Sequence, residues 1–197
     1  MSSRKRRQKI RILYHCIFLV ALSSILSLIT IYDMDKGGSV TVLSMLPILT
    51  IGVKFGYKWG IGSSMVFMAV QLFKGIVIDD VFVWCTSAGM VIVCVLFDYV
   101  VPFGILGLTA FARPKKGKRP DNNKIIITFA VILAARFFCH FMTGWTIWGV
   151  WDDGFVGAVL HSLAYNGSYM GIEFALTITA TGLLLATRDY SRFITEW

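Results

Sequence analysis

Charged residues are scarce in this chain of 197 residues, where Lys, Arg, Asp and Glu together make up only 15%. Hydrophobic residues make up 56% of the chain, and the mean hydropathy is +0.71. So little charge on so apolar a chain excludes an ordinary soluble domain and indicates an integral membrane protein. A single helical membrane domain over residues 1–197 is the expected organisation.

The sequence motifs of several enzyme classes are also missing. No GxxxxGK[ST] motif is present, so the chain is not expected to hydrolyse nucleotide itself. Neither GxSxG nor HExxH occurs, which argues against a membrane hydrolase or metalloprotease. None of the 4 cysteines belongs to a CxxC motif or has a histidine at metal-ligand spacing. We therefore expect buried thiols, with no metal and no cofactor.

Apolar windows of about 20 residues predict the membrane-spanning helices, since a hydrocarbon core of about 30 Å requires that length. Six helices are predicted, near residues 12–31, 40–53, 57–75, 83–111, 124–147 and 157–187. The second is short and contains Pro47, so it either kinks or lies buried between other helices without fully spanning. The predicted fold class is an all-α integral membrane bundle of six transmembrane helices.

The distribution of positive charge predicts the orientation of this bundle. Segments 1–11, 54–58, 112–124 and 188–197 hold 16 of the 19 Lys and Arg residues, and six spans place all four on one side. The opposite loops are acidic, with the stretch from Tyr32 to Lys36 marking the exit of the first helix. Because Lys and Arg concentrate in cytoplasmic loops, both termini and the basic loop 112–124 are predicted to be cytoplasmic. The net charge of +8 then reflects topology and the lipid bilayer, and no nucleic-acid partner is expected.

Ionisable side chains interrupt the fifth predicted helix. Arg136, His140, Gly144 and Trp148 recur every four residues and so share one face. A central Arg, Lys or Asp costs roughly 2.5–3.5 kcal/mol in the bilayer, so such groups usually face a protein interior or a wet cavity. Gly144 leaves a gap on this face that could admit either a neighbouring helix or a ligand.

The sixth and fourth predicted helices carry polar groups as well. On the sixth, a polar stripe within an arc of about 140° consists of His161, Ser162, Tyr165, Asn166, Tyr169 and Glu173. On the fourth, Asp98 and Tyr99 lie within an apolar run. A buried carboxylate requires a cationic partner, and for Asp98 this is either Arg136, for which Glu173 competes, or a bound organic cation.

Four motifs occur together on this framework. They are Met-Leu-Pro-Ile at 45–48, an acid–Tyr pair at 98–99 leading to Gly-Ile-Leu-Gly-Leu at 104–108, Arg-Phe-x-Cys-His-Phe-x-x-Gly-x-x-x-Trp at 136–148, and Ser-Leu-x-x-Asn-Gly at 162–167. In combination, they resemble the thiamine-specific substrate-binding (S) component of energy-coupling factor (ECF) vitamin transporters.

This resemblance implies a protein that binds thiamine or a close relative from the outside. The substrate-binding residues implied are Asp98, Tyr99, His140, Gly144, Trp148, His161 and Asn166, and the additional candidates for the pocket or for an ion pair are Arg136, Tyr165, Tyr169 and Glu173. His140 and Asn166 would contact the pyrimidine, and Trp148 would stack on a ring of the ligand. The implied partners are an ECF transmembrane coupling protein and two cytoplasmic ATPases, in agreement with the missing nucleotide-binding motif.

The sequence departs from the family pattern at several positions. Asp98 stands where the family has Glu, His161 stands where it has Tyr, and the first outer loop lacks a Trp. The AxxxA contact of the first helix is replaced by Ser23 and Ser27. The shorter acid leaves room for a different or bulkier ligand, and a protonated His161 would disfavour a cation at low pH.

Two other functions are compatible with the same residues. In a stand-alone proton-coupled carrier of thiamine or another organic cation, Asp98, Glu173 and the histidines would relay protons. In a membrane-embedded enzyme that modifies a lipid, Asp98, His140 and Glu173 would act as acids and bases.

Overall fold

The computed structural model describes residues 3–34 and 38–196. In chain order, its main elements are α1 (Ser3–Leu28), β1 (Thr30–Asp33), β2 (Ser39–Thr41), α2 (Leu46–Phe55), α3 (Tyr57–Val77), α4 (Ala88–Ala112), α5 (Asn122–Thr146), α6 (Gly154–Ala186) and α7 (Arg188–Thr195). Helices α1, α3, α4, α5 and α6 are long and apolar enough to cross a membrane, and α2 is a shorter apolar helix. The all-α membrane bundle is therefore confirmed.

Helix α2 lies at the centre of the bundle. All of its 10 residues are buried, including Ile48, Leu49 and Ile51, which are fully inaccessible. At 1.5 Å per residue, this helix covers about half of a hydrocarbon core. Pro47 lies in the first turn, where its missing N–H costs nothing, so it does not kink the helix. Of the two alternatives for this segment, the buried short helix is the one observed.

A β-hairpin replaces the start of the predicted second helix. The prediction of helix from residue 40 was wrong, because residues Ser39–Thr41 form β2 and pair antiparallel with β1. The physical reason lies in the β-branched residues Val40 and Thr41, which suit a strand next to a partner strand. The first helix also ends earlier than predicted, at Leu28, and begins earlier, at Ser3. Asp35 and Lys36, in the predicted exit segment, lie outside the described residues.

Helix α4 begins later than predicted and is irregular in the middle. Ser87 caps it by accepting a hydrogen bond from the Met90 backbone N–H at 3.2 Å, and the preceding Val81–Trp84 form a 3₁₀ turn. Residues Val95–Val100 widen into a π-helical turn. Pro102 lies two residues after this turn and has no N–H for the carbonyl of Asp98, which favours such a local change of winding. The widened turn holds Asp98 and Tyr99.

Glycines allow α2, α3 and α4 to cross closely. A Cβ atom at Gly60 would lie 2.6 Å from the carbonyl oxygen of Gly107 and 2.9 Å from the Cα of Gly52, so no side chain fits there. Ser64, one turn after Gly60, is fully buried. Small residues four apart on α3 therefore let the three helices approach closely.

The basic segments meet at one end of the bundle. The Lys54 ammonium, at the end of α2, donates to the backbone carbonyls of Phe193 and Glu196, the latter at 2.9 Å, and so fixes α7. The Arg113 guanidinium reaches the α2–α3 junction, where a Cβ at Gly56 would lie 2.8 Å from Nη1. Three of the four segments predicted to share a side are therefore neighbours. That this side is cytoplasmic stays a prediction.

Candidate substrate-binding site

A polar cavity of about 160 Å³ lies towards the other end of the bundle, beside the hairpin. All eleven residues singled out in the sequence line it: Asp98, Tyr99, Arg136, His140, Gly144, Trp148, His161, Tyr165, Asn166, Tyr169 and Glu173. The polar stripe of α6 thus faces a cavity, as predicted, while Leu163 and Phe174 on its other side are more exposed. Ligand binding by these residues stays a prediction.

The carboxylate of Asp98 is held by three donors from α5 and the turn that follows. His140 Nδ1 lies 3.1 Å from Oδ1, the Thr143 hydroxyl donates to the same oxygen, and the Trp148 indole N–H donates to Oδ2 at 3.4 Å. The side chain of Asp98 is only 13% exposed. The widened turn of α4 and the face of α5 together therefore fix one carboxylate at the cavity wall.

The contact with Asp98 also sets the state of the His140 ring. A carboxylate oxygen only accepts, so Nδ1 carries the hydrogen in this contact. In the neutral ring, Nε2 is then an acceptor, and this atom is buried without a hydrogen-bond partner in the described part of the chain. A ligand with an N–H group would satisfy it.

Arg136 pairs with Glu173 and leaves Asp98 to other partners. Nη1 of Arg136 lies 3.4 Å from Oε2 of Glu173, and both side chains are buried. Oε1 of Glu173 accepts from the Thr41 backbone N–H at 3.0 Å and from the Thr41 hydroxyl at 2.6 Å. The pair therefore joins α5 and α6 to the hairpin. Of the two acids that could pair with Arg136, it is Glu173 that does so, and Asp98 does not.

Gly144 is where α5 and α6 come closest. A Cβ at this position would overlap the Ser162 hydroxyl and lie 2.8 Å from Nδ2 of Asn166. Nδ2 of Asn166 donates to the His140 carbonyl at 3.2 Å, and its Oδ1 accepts from the Tyr169 hydroxyl at 3.1 Å. The gap at Gly144 is thus filled by the neighbouring helix, which orients the Asn166 amide at the cavity wall.

His161 lies at the rim of the cavity. Its side chain is 49% exposed, and Nδ1 lies 2.7 Å from Oδ1 of Asp152 in the preceding loop. Nearby, the Tyr165 hydroxyl accepts from the Gly38 backbone N–H at 3.1 Å and so ties the hairpin to α6. The rim therefore combines an acid–imidazole pair with a hydrogen bond to the hairpin.

Helix α3 contributes a wall of the cavity that was not predicted from the sequence. Gln71 and Lys74, one turn apart, line the cavity together with Asp79 from the loop that follows. Lys74 Nζ lies 3.9 Å from Oδ2 of Asp79, whose pKa is raised by burial, with Lys74 opposing this rise. The signal that could have revealed this wall was the amide of Gln71 inside an apolar segment. Thr143 was also missed as a wall residue, because small hydroxyl side chains are common in membrane helices and often bond their own backbone.

The fold and the cavity together define a class. The chain is a small polytopic membrane protein whose spanning helices enclose a polar, aromatic pocket with the Asp98 carboxylate held at its wall. Such a pocket, in a chain without the sequence motifs of the enzyme classes above, is typical of membrane transport proteins.

Comparison with known proteins defines the family. Residues 13–192 match the profile of the family described as Thiamine transporter protein (Thia_YuaJ). A curated relative, the thiamine transporter ThiT of Bacillus subtilis (strain 168), is 28% identical over 162 residues, which are 79% of each chain. The solved structure of ThiT from Listeria monocytogenes superposes on this chain with a TM-score of 0.66 and 18% sequence identity. The superposition covers 92% of this chain and 97% of that one, and it shows that the two share a fold. The chain therefore belongs to the thiamine transporter protein family. It is a vitamin-uptake protein of the membrane and not an enzyme.

Proposed function

We propose that this protein is the substrate-binding S component of an ECF-type transporter, and that it binds thiamine or a close relative from the outside. The observation that carries the proposal is the cluster at Asp98, where a carboxylate bonded by the Trp148 indole N–H lines a cavity together with the Tyr99 ring. A permanently cationic thiazolium suits such a place, because the carboxylate supplies the opposite charge. A cation over an aromatic face adds roughly 0.5–2 kcal/mol.

The other half of thiamine is an aminopyrimidine, and two groups beside Asp98 suit it. Nε2 of His140 is an acceptor in the neutral ring and has no hydrogen-bond partner among the described residues, so it would accept a hydrogen bond from an exocyclic amine. The Asn166 amide is held by α5 and by Tyr169, so its position is set before a ligand arrives. Groups that are already in place bind with less loss of entropy than mobile ones.

The partners proposed are an ECF transmembrane coupling protein and two cytoplasmic ATPases. The chain has no nucleotide-binding motif of its own, so energy for uptake must come from outside it. The stand-alone proton-coupled carrier is the alternative. Uptake of thiamine into proteoliposomes distinguishes the two: the S component requires the coupling protein and ATPases with ATP, whereas the alternative requires only a pH gradient.

Ligand binding is tested by titrating the detergent-purified protein with thiamine while recording tryptophan fluorescence. Trp148→Ala and Asn166→Ala are each expected to weaken binding at least about tenfold, because each removes one directional contact with the ligand. Trp145→Ala is the matched control, since Trp145 packs edge-on against Phe155 at 5.1 Å outside the cavity lining. Affinity that is unchanged in both site variants would remove this assignment of the pocket.

A further inference from the structure

The α3 wall of the cavity contains the side-chain amide of Gln71, whose nitrogen donates no hydrogen bond to the described residues. Nε2 of Gln71 is buried and has no hydrogen-bond partner within residues 3–34 and 38–196. Leaving a buried donor unpaired costs about 1–3 kcal/mol, so a native structure usually supplies a partner. Because Gln71 lines the cavity, a bound ligand is in a position to be that partner.

Lys74 adds a positive charge one turn further along the same wall. Its ammonium has three donor hydrogens, and its ion pair with Asp79 is long, at 3.9 Å between Nζ and Oδ2. The side chain of Lys74 is only 13% exposed, so water satisfies it poorly. Gln71 and Lys74 therefore present several donors to the cavity, and the Lys74 ammonium group can only donate hydrogen bonds, never accept them.

Tyr99 connects this wall with the Asp98 cluster. It directly follows Asp98, and its hydroxyl lies against Gly75, where a Cβ would overlap it. Gly75 is in turn the neighbour of Lys74. The Tyr99 side chain thus runs from the backbone beside Asp98 to α3, so a ligand that has its cation at Asp98 and extends along Tyr99 would reach the donors of α3.

We propose that Gln71 and Lys74 form a subsite for the oxygen-bearing tail of the cationic vitamin. This proposal rests on the proposed function, and it names the residues of α3 that would contact a tail carrying a hydroxyl or a phosphate ester. Both tails present oxygen acceptors, which is the chemistry that the Gln71 amide and the Lys74 ammonium select. A phosphate would also compete with the Asp79 carboxylate for Lys74, because both are anions.

Three ligands separate the contributions of the tail: thiamine, thiamine monophosphate, and an analogue with ethyl in place of hydroxyethyl. Gln71→Leu is expected to weaken binding of thiamine and of the monophosphate about tenfold each, and to change binding of the ethyl analogue less than about twofold. Lys74→Met is expected to weaken the monophosphate about tenfold more than thiamine, since only the phosphate is charged.

Asp79→Asn provides a test of opposite sign. It removes the competing carboxylate, so it is expected to strengthen monophosphate binding several-fold relative to thiamine, whereas loss of a purely structural ion pair would weaken both ligands. Gln8→Leu and Lys58→Met are the matched controls, because both residues are exposed and lie away from the cavity.

The proposal is overturned if the variants shift all three ligands alike, or if the wild-type protein binds the ethyl analogue as tightly as thiamine. Either result leaves thiamine binding, and with it the proposed function, intact. Failure of the proposed function has a different signature, since the wild-type protein would then bind none of the three ligands.

Discussion

Replacing Gly144 by alanine tests the central geometry of the site. The new Cβ would overlap the Ser162 hydroxyl and lie 2.8 Å from Nδ2 of Asn166 and 2.9 Å from the Ser162 Cβ. The hydroxyl can rotate away, but the Ser162 Cβ is fixed to the backbone, so α6 itself must move from α5. Such overpacking costs about 1–3 kcal/mol, which for a protein of this size lowers the Tm by about 2–12 °C. The displacement also carries the Asn166 amide away from its position, so thiamine binding should weaken as well.

Gly167→Ala is the matched control for this substitution. Gly167 lies on α6, and a Cβ there would meet nothing within 4 Å. Alanine in the middle of a helix is favoured over glycine by about 1 kcal/mol, so this variant should be as stable as the wild type or more stable. Thermal unfolding and thiamine titration of both variants in the same detergent provide the comparison. Equal Tm values and equal affinities for the two variants would refute the close approach of α5 and α6 at Gly144.

Two further substitutions address the buried polar groups. Thr143→Val removes one donor to Asp98 at constant shape, so thiamine binding should weaken about tenfold in a fluorescence titration. Thr146→Val is the control, because it loses only a hydrogen bond to its own helix backbone and should leave thiamine binding unchanged. Glu173→Leu leaves Arg136 buried without its carboxylate, so the free energy of unfolding should fall by about 3–5 kcal/mol, as measured by thermal unfolding. Adding Arg136→Met should restore much of this loss. Equal stability of the single and double variants would contradict the pairing.

The location of the site could be predicted because polar side chains within a membrane segment are confined to the protein interior or to a water-filled cavity. Asp98, His140 and Glu173 interrupt apolar segments, and the cost of exposing them to lipid predicts a shared interior whatever the details of packing. The periodicity of α6 then identified which of its faces turns inward. The resemblance to a known family supplied the roles within that interior, which periodicity alone does not reveal.

The parts that could not be predicted depend on contacts between segments distant in the chain. Strand β2 leads from Val40 into the apolar residues before α2, and a short run of that kind does not distinguish a strand from a helix. Its position is fixed by Glu173 and Tyr165, more than 120 residues further along the chain. Lys74 resembled a loop residue at a helix end, and only the fold turns it into the cavity beside Gln71.

The acid–imidazole pair at the rim leads to a prediction about charge near the ligand. A protonated His161 was expected to disfavour a cationic ligand, yet Asp152 lies 2.7 Å from its Nδ1 and would neutralise the added charge. His161→Lys places a permanent positive charge at this position, and it should weaken thiamine binding only slightly while Asp152 faces it. Combining His161→Lys with Asp152→Asn removes the neutralising carboxylate, so thiamine binding should weaken about two- to fivefold further, the scale of a partly exposed charge interaction. Asp152→Asn alone is the control, and fluorescence titration measures all three variants. If the double variant bound thiamine as tightly as His161→Lys, the neutralising role of Asp152 would be wrong.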